Sequence, residues 1–334
     1  MNDKKYPSIA LGTWSWGIGA SGGDQVFGNY LEAEELKPVF EAAMDRGLRL
    51  WDTAAAYAMG ASEEIVGYLA KAYPRDKLSF STKFTPRLAK NTEDPMRDMC
   101  EESLRRLQTD YIDIYWIHNS SDVERWTPHL IPLVKSGKVR RVGVSNHNLA
   151  QIKRAEEILS EENIPLSAVQ NHFSLLCRAS EEEGVLEYCQ SRGIDFFAYM
   201  VLEQGALSGK YNAGHPMPAD SRRGQVYNPY LLQLELLTDA MKEVAEKYNA
   251  GVPQIGIAWA IARGAIPIIG ATKPEQIGEI AGAAMVKLTQ ADCKTLEQAA
   301  AKVKIDTRGP WERSMLQPIK LRLCSYRKHN AKLR

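Results

Sequence analysis

The chain has 334 residues, of which 44% are apolar and 25% charged, so it has the composition of a soluble globular protein with one large domain or two ordinary ones. Its formal net charge of +1 lacks the basic excess of a nucleic-acid-binding surface. No apolar segment has the length of a signal peptide or a membrane span, so we predict a cytoplasmic protein.

The five cysteines are odd in number and irregularly spaced. They form no CxxC pair and no cluster with histidines, so no metal site is predicted. We interpret them as buried thiols in a reducing compartment; they are Cys100, Cys177, Cys189, Cys293 and Cys324.

Short apolar segments recur along the chain at intervals of roughly 30 residues, and each is predicted to be a strand. Most of them end in a polar, charged or aromatic residue. The predicted strands cover residues 9–16, 48–51, 78–83, 111–118, 139–146, 167–171, 194–199 and 265–270.

Helical periodicity fills most of the intervals between these strands. Ser62, followed by Glu63 and Glu64, is interpreted as the N-cap of the second helix. The predicted helices cover residues 32–46, 63–73, 95–107, 126–136, 149–160, 181–192, 231–248 and 253–263, and two more begin at Pro274 and Gln290. A glycine- and proline-containing insertion, residues 201–230, is too long for a simple strand-to-helix connection.

Eight strands alternating with helices predict a parallel sheet closed into a (β/α)8 TIM barrel, a single domain of class α/β over residues 1–310. No P-loop is present. Residues 318–334 contain six Lys or Arg and no acid, so residues 311–334 are predicted to be a basic tail outside the barrel period.

The ends of the predicted strands share one rim of the barrel, where active sites of this fold lie. That rim collects Asp52, Tyr57, Lys83 and His118. A phenol has a pKa of about 10, and a nearby ammonium held by a carboxylate lowers that value. We therefore expect Lys83, fixed by Asp52, to lower the pKa of Tyr57 for proton transfer, and His118 to donate to a carbonyl oxygen or to the phenol.

These residues and their neighbours resemble the aldo-keto reductase superfamily from about Tyr6 to Thr307. The matching segments are LGTW at Leu11, DTAAAY at Asp52, STK at Ser81, DYIDIYWIH at Asp110, GKVRRVGVSN at Gly137, AVQNHFSLL at Ala168, GALSGKY at Gly205 and IIGATKPEQ at Ile268. The resemblance implies a barrel that binds NADPH, or less often NADH, without a Rossmann domain. It also implies a catalytic tetrad of Asp52, Tyr57, Lys83 and His118, with Tyr57 as the proton donor.

The resemblance implies cofactor contacts along the whole rim. Ser145, Asn146 and Gln170 match side chains that bind the nicotinamide carboxamide, and Tyr199 matches the aromatic residue that stacks on the ring. Leu202, Gln204, Gly205, Ser208, Lys210 and Arg222 match the pyrophosphate loop. Further contacts are implied for Gly12, Thr13, Trp14 and Asp52, and for the adenosine phosphate site, which is Gly270, Ala271, Thr272, Lys273, Gln276 and Glu279.

The substrate pocket is less well defined by these motifs. Candidates for its wall are Trp14, Trp16, Trp51 and Asn119, although core packing explains Trp51 equally well. The family pattern is broken at Ala58, at Met200 and Val201, and at Ile280, where glycine, Ser-Pro and asparagine are common.

Three functions are compatible with the motifs. The leading one is NADPH-dependent reduction of an aldehyde or ketone to an alcohol. The second is oxidation of a sugar or polyol hydroxyl with NAD(P) as the acceptor. The third is a cofactor-binding regulator similar to the potassium channel beta subunits, although this chain has no evident N-terminal inactivation segment.

Overall fold

A computed structural model describes residues 7–308 of the chain. Within that range eight parallel strands hydrogen-bond in sequence order and close into one barrel. The strands are β1 (Ala10–Gly12), β2 (Leu50–Asp52), β3 (Ser79–Phe84), β4 (Ile114–Ile117), β5 (Val142–Ser145), β6 (Leu166–His172), β7 (Asp195–Tyr199) and β8 (Ile266–Gly270). The predicted single-domain (β/α)8 barrel is confirmed.

Helices surround the barrel and connect successive strands. In the described residues they are α1 (Gly23–Phe27), α2 (Ala33–Asp45), α3 (Ala61–Ala70), α4 (Pro95–Leu107), α5 (Val123–Trp126), α6 (Leu130–Lys135), α7 (Leu149–Ser160), α8 (Ala179–Glu182), α9 (Val185–Arg192), α10 (Arg222–Tyr227), α11 (Leu231–Lys247), α12 (Val252–Ala262), α13 (Pro274–Ala283) and α14 (Gln290–Ala300). None of those within residues 7–308 is long and apolar enough to cross a membrane.

Three helix predictions are wrong in detail. The helix predicted over residues 181–192 consists of α8 and α9, with Gly184 in a left-handed conformation between them. The helix predicted over residues 126–136 consists of α5, a 3-10 turn at Thr127–His129 and α6. Pro128 lies in that turn and Pro132 in the first turn of α6, and a proline cannot donate a backbone hydrogen bond. The Asp122 side chain caps α5 by accepting from the amide of Arg125, so the helical segment begins earlier than predicted.

Ser62 is not an N-cap. Helix α3 begins at Ala61, after Gly60 in a left-handed conformation with φ of 102°. The Ser62 side chain is buried, and its hydroxyl contacts the Thr13 and Thr53 hydroxyls and donates to the Thr13 carbonyl. It therefore joins the loops that follow β1 and β2.

The barrel has an inner and an outer core. Ile114, Trp116 and Phe197 belong to the small cluster inside the strands, and a larger cluster lies between strands and helices. The Trp116 ring packs across Gly143 of β5, where a Cβ would come within 2.3 Å of the ring. This packing fills the barrel interior below its C-terminal rim.

The predicted basic tail, residues 311–334, lies outside the described residues. The boundary between barrel and tail therefore stays a prediction.

Candidate active site

The ends of β2 and β3 bring a carboxylate and an ammonium together in the barrel interior. Lys83 Nζ donates to Asp52 Oδ2 over 2.5 Å and to the Thr53 carbonyl over 2.7 Å, and it lies 3.4 Å from the Tyr57 hydroxyl. Lys83 is 0% exposed and Asp52 3%. Burial by itself lowers the pKa of Lys83, but the Asp52 carboxylate and the Tyr57 hydroxyl raise it, and the net pKa is raised. Lys83 is thus a buried cation.

Asp52 is held in place by two further donors. Its Oδ1 accepts from the Ser81 hydroxyl over 2.6 Å and from Gln170 Nε2 over 3.0 Å. Ser81 in turn accepts from the Trp116 indole nitrogen over 2.6 Å. The sequence motif STK contains Ser81, but its role as a second partner of Asp52 was not predicted.

Tyr57 projects from the loop between β2 and α3. Two non-glycine residues after it, Ala58 and Met59, have left-handed φ angles of 47° and 53°. Such a backbone persists where neighbouring structure holds it, and it is common in functional loops. The Trp14 ring stacks on the Tyr57 ring with centroids 6.0 Å apart and an interplanar angle of 24°. The phenol therefore has a fixed direction.

The pKa of Tyr57 is raised, which corrects the expected lowering. Burial is the largest cause, the Lys83 ammonium lowers the pKa, and the Asp52 carboxylate raises it. The ammonium moderates an increase that burial would otherwise make larger. The phenol consequently stays protonated at neutral pH, as a proton donor must be.

His118 completes the group of four from the end of β4. Its Nδ1 lies 2.9 Å from the Thr85 hydroxyl, and its ring meets the Tyr57 ring edge-on, with centroids 6.0 Å apart. Burial, with the nearby Lys83 and Arg87 cations, holds the pKa of His118 well below 6.5. The imidazole is therefore neutral near pH 7. Sequence reasoning missed Thr85, which lies directly after β3.

Three predicted nicotinamide residues form one hydrogen-bonded set. Asn146, with φ of 61°, donates from Nδ2 to the His118 carbonyl over 2.8 Å, and its Oδ1 accepts from the Tyr199 hydroxyl over 2.6 Å. The Ser145 hydroxyl lies 3.2 Å from Asn146 Nδ2. The ring of Tyr199 and the amide of Asn146 are thereby fixed relative to His118.

The insertion after β7 is structured and carries basic residues. It contains a 3-10 turn at Glu203–Gly205 and the helix α10. Arg223 donates to the Gln204 carbonyl over 3.2 Å and to the Tyr211 hydroxyl over 3.4 Å, so it joins the two halves of the insertion. Arg222 and Lys210 line the cavity beside it.

A side chain of α13 itself hydrogen-bonds the free backbone amides at the start of this helix. Gln276 Oε1 accepts from the amides of Thr272 and Lys273 over 2.8 and 3.1 Å. A helix start with such donors is an anion-binding position, and the amide oxygen takes the place that an anion would take. Lys273 is exposed at this position.

One cavity of about 1560 Å³ connects these groups along the rim. Its walls include most of the predicted site residues, namely Gly12, Trp14, Asp52, Tyr57, His118, Asn119, Ser145, Asn146, Gln170, Tyr199, Leu202, Gln204, Gly205, Ser208, Lys210, Arg222, Gly270, Thr272, Lys273, Gln276 and Glu279. Lys83 does not line the cavity. It lies behind Tyr57, whose phenol separates it from the cavity.

Besides Lys83, four of the predicted residues do not line the cavity. Trp16 donates to the Ala271 carbonyl over 2.9 Å and packs against Trp51, and each tryptophan is 1% exposed. Trp51 also stacks on Phe40 of α2. Both therefore belong to the outer core, and the prediction that they line the substrate pocket is wrong.

Thr13 is fully buried, with its hydroxyl bound to Ser62 over 2.8 Å and 3.3 Å from the Asp52 carbonyl. Ala271 is also buried. Neither residue lines the cavity, so the prediction that they contact the cofactor is not supported by their position.

Comparison with known protein families agrees with the geometry of this site. The sequence model of the aldo/keto reductase family matches residues 8–301. The chain belongs to the aldo/keto reductase family. This confirms the family predicted from the motifs and its reaction class, the NAD(P)H-dependent reduction of carbonyl groups.

Individual members of the family differ considerably from this chain. The chloroplastic pyridoxal reductase of Arabidopsis thaliana is 30% identical over 90% of this chain and 85% of its own. The aldo-keto reductase yakc [NADP(+)] of Schizosaccharomyces pombe is 32% identical over 86% and 89%. An aldo-keto reductase from Klebsiella pneumoniae, whose crystal structure is in complex with NADPH, is 27% identical in sequence. Its structure matches 90% of this chain and 95% of its own with a TM-score of 0.71.

Proposed function

We propose that the protein reduces an aldehyde or ketone to an alcohol with NADPH, and that Tyr57 is the proton donor. One observation carries this proposal: a protonated phenol faces a large cavity while a buried ammonium lies 3.4 Å behind it. When bound, the reduced nicotinamide supplies a hydride to the carbonyl carbon. The Tyr57 proton passes to the carbonyl oxygen, and the two transfers together give the alcohol.

The other three residues support the phenol in different ways. Lys83 stabilises the phenolate that remains after proton transfer, because its charge favours the ionised form. Asp52 keeps the ammonium charged and fixed. His118 is neutral, so it orients the carbonyl oxygen by hydrogen bonding and adds no second cation beside Lys83.

The chain's own residues fit NADPH. The carboxamide is assigned to Ser145, Asn146 and Gln170, and the ring to Tyr199. The pyrophosphate is assigned to the insertion, where Lys210, Arg222 and the left-handed backbone at Gln204 line the cavity. The 2′-phosphate is assigned to Thr272 and Lys273, after Gln276 has released their amides.

A cytoplasmic location is part of this proposal. Among residues 7–308 the four cysteines are free and buried, as is usual in a reducing compartment. The fifth, Cys324, lies outside the described residues.

The proposal is tested by following NADPH oxidation with a panel of aldehydes, ketones and sugars. We expect turnover with at least one small carbonyl compound, and none when the carbonyl is omitted. Tight NADPH binding without turnover on any member of the panel would favour a cofactor-binding regulator instead of an enzyme. Oxidation of polyols by NADP⁺ together with no measurable carbonyl reduction would favour the second enzymatic function.

A further inference from the structure

A buried carboxylate lies directly behind the nicotinamide end of the cavity. Glu203 is 0% exposed, although it belongs to the insertion after β7. Its Oε2 accepts from the Tyr227 hydroxyl over 2.7 Å, and its Oε1 accepts from the Ser174 and Thr307 hydroxyls and from His172 Nε2. These five residues are called the Glu203 cluster below. The catalytic group Asp52, Tyr57, Lys83 and His118 makes no use of it.

His172 links this cluster to the cavity wall. Its Nε2 lies 2.9 Å from Glu203, and because a carboxylate can only accept, Nε2 carries the proton. His172 of β6 is the register partner of Tyr199 of β7, and the two rings stack with centroids 5.5 Å apart and an interplanar angle of 27°. Tyr199 lines the cavity and His172 does not. The histidine therefore supports the side of the Tyr199 ring that faces away from the ligand.

Glu203 also belongs to an unusual piece of backbone. Met200, Glu203 and Gln204 have left-handed φ angles of 61°, 47° and 55° although none of them is glycine. Such angles persist where the surroundings hold the chain in place. The buried Glu203 side chain supplies that restraint, because its partners come from β6, α10 and the segment after α14. Met200 and Gln204, on either side of it, line the cavity.

We propose that Glu203 and His172 are positioning residues for the cofactor. Neither lines the cavity; the pair holds the Tyr199 ring and the backbone of residues 200–204 in the conformation that receives the nicotinamide and the pyrophosphate. This inference rests on the proposed function, which assigns those two parts of the cofactor to Tyr199 and to the insertion.

Two substitutions of His172 separate the hydrogen bond from the ring stack. His172→Phe keeps a ring against Tyr199 but cannot donate to Glu203, whereas His172→Gln keeps a donor and removes the ring. Glu203→Gln removes the charge at nearly constant volume. A matched control is Glu63→Gln, because Glu63 is also 0% exposed and is bound by Arg106 and Thr82, away from Tyr199.

The measurement is the dissociation constant of NADP⁺ by titration calorimetry, with the melting temperature of each variant recorded. We expect Glu203→Gln and both His172 variants to bind about tenfold more weakly, and Glu63→Gln to bind as the wild type does even if it melts earlier. In a Tyr199→Ala background we expect both His172 variants to lose most of their effect, because residues that act through one another are not additive. Glu203→Gln should lose the part of its effect that passes through the Tyr199 ring and keep the part that passes through the backbone of residues 200–204. A general loss of stability would not produce that coupling.

The outcomes distinguish the two proposals. If Tyr199→Ala weakens binding but the Glu203 and His172 variants bind as the wild type does, the positioning role is wrong and the cofactor assignment stands. Equal weakening by Glu63→Gln and Glu203→Gln, with no coupling to Tyr199, would also overturn it. If Tyr199→Ala itself binds NADP⁺ normally, the assignment of the nicotinamide to Tyr199 fails first.

Discussion

At the scale of single residues, the proposed proton transfer from Tyr57 depends on the Lys83 ammonium. It is fully buried, paired with Asp52 and 3.4 Å from the Tyr57 oxygen. Sequence reasoning predicted this arrangement because Asp52 and Lys83 lie at the C-terminal ends of the adjacent strands β2 and β3, and Tyr57 lies in the loop after β2. It did not predict the direction of the Tyr57 pKa, because the cost of burying a phenolate depends on side chains that close over the site, such as Trp14.

Replacing Lys83 with methionine removes the one nearby group that lowers the phenol's pKa. Carbonyl reduction needs the protonated phenol, so the rate falls as the pH rises through that pKa. In Lys83→Met we expect this basic limb to move to higher pH, and kcat to fall because the phenol is a weaker acid. The pH dependence of kcat measures both effects.

Lys135→Met is the control for that profile, since Lys135 is an exposed lysine of α6 that pairs with Glu162. Its profile should match that of the wild type. A basic limb at the wild-type pH and an unchanged kcat in Lys83→Met would exclude the role assigned to Lys83.

At the scale of elements, the strands were predicted more successfully than what lies between them. Apolar runs that are buried on both faces identify the strands of a parallel barrel. The loops follow interactions between distant parts of the chain. Ser62 was interpreted as a cap, but Thr13 and Thr53 bind it from two other loops. No sequence pattern singled out Glu203, which is the centre of a buried cluster.

The start of α13 provides a prediction about the cofactor. The Lys273 ammonium lies at the start of this helix, beside the Thr272 and Lys273 amides. It can pair with the 2′-phosphate of NADPH, which NADH lacks. We expect Lys273→Met to weaken NADPH binding about tenfold and to leave NADH binding nearly unchanged. Lys287→Met serves as the control, because Lys287 is an exposed lysine that follows the same helix. Equal losses for NADPH and NADH would show that Lys273 does not contact the phosphate.

The insertion after β7 provides a second prediction. Arg223 already joins Gln204 to Tyr211, and we expect bound NADP⁺ to hold this segment further as a lid, with cofactor release limiting turnover. Hydrogen exchange with and without NADP⁺ should show added protection across residues 205–223. Equal exchange in both states would mean that the segment is a passive loop and that the pyrophosphate lies elsewhere.

For the whole molecule, the alternation of eight strands with helices predicted the barrel. The ordered motifs at successive strand ends then predicted the family. Composition alone could not show which aromatic residues face the ligand. Trp14 lines the cavity, while Trp16 and Trp51 are 1% exposed in the outer core. The difference is set by how α2 and the loop after β1 pack, which short-range patterns do not describe.

Stability should depend on pH through a buried histidine. His147 donates from Nδ1 to the Ser145 carbonyl over 2.8 Å, and its buried Nε2 has no hydrogen-bond partner among residues 7–308. Burial lowers the pKa of His147 to about 4 from 6.5. Between those values the unfolded chain binds a proton that the folded chain does not, so stability present above pH 6.5 is lost as the pH falls. From pH 7 to pH 5 this residue should cost about 2 kcal/mol of unfolding free energy.

Urea unfolding at the two pH values measures that loss. His147→Asn keeps a donor for Ser145 and cannot titrate, so its unfolding free energy should fall by about 2 kcal/mol less than that of the wild type. His215→Asn changes an exposed histidine and should follow the wild type. Identical pH dependence in His147→Asn and the wild type would show that His147 is protonated equally in both states.

The assignment of Tyr57 as proton donor is tested most directly by Tyr57→Phe, with kcat for a carbonyl substrate and the dissociation constant of NADP⁺ measured on the same preparation. The substitution removes one hydroxyl and leaves the ring against Trp14, so we predict NADP⁺ binding within about twofold of the wild type and a loss of kcat greater than about a hundredfold, or about 2.7 kcal/mol in activation free energy. Turnover within about tenfold of the wild type, a change of only about 1.4 kcal/mol, would contradict the assignment.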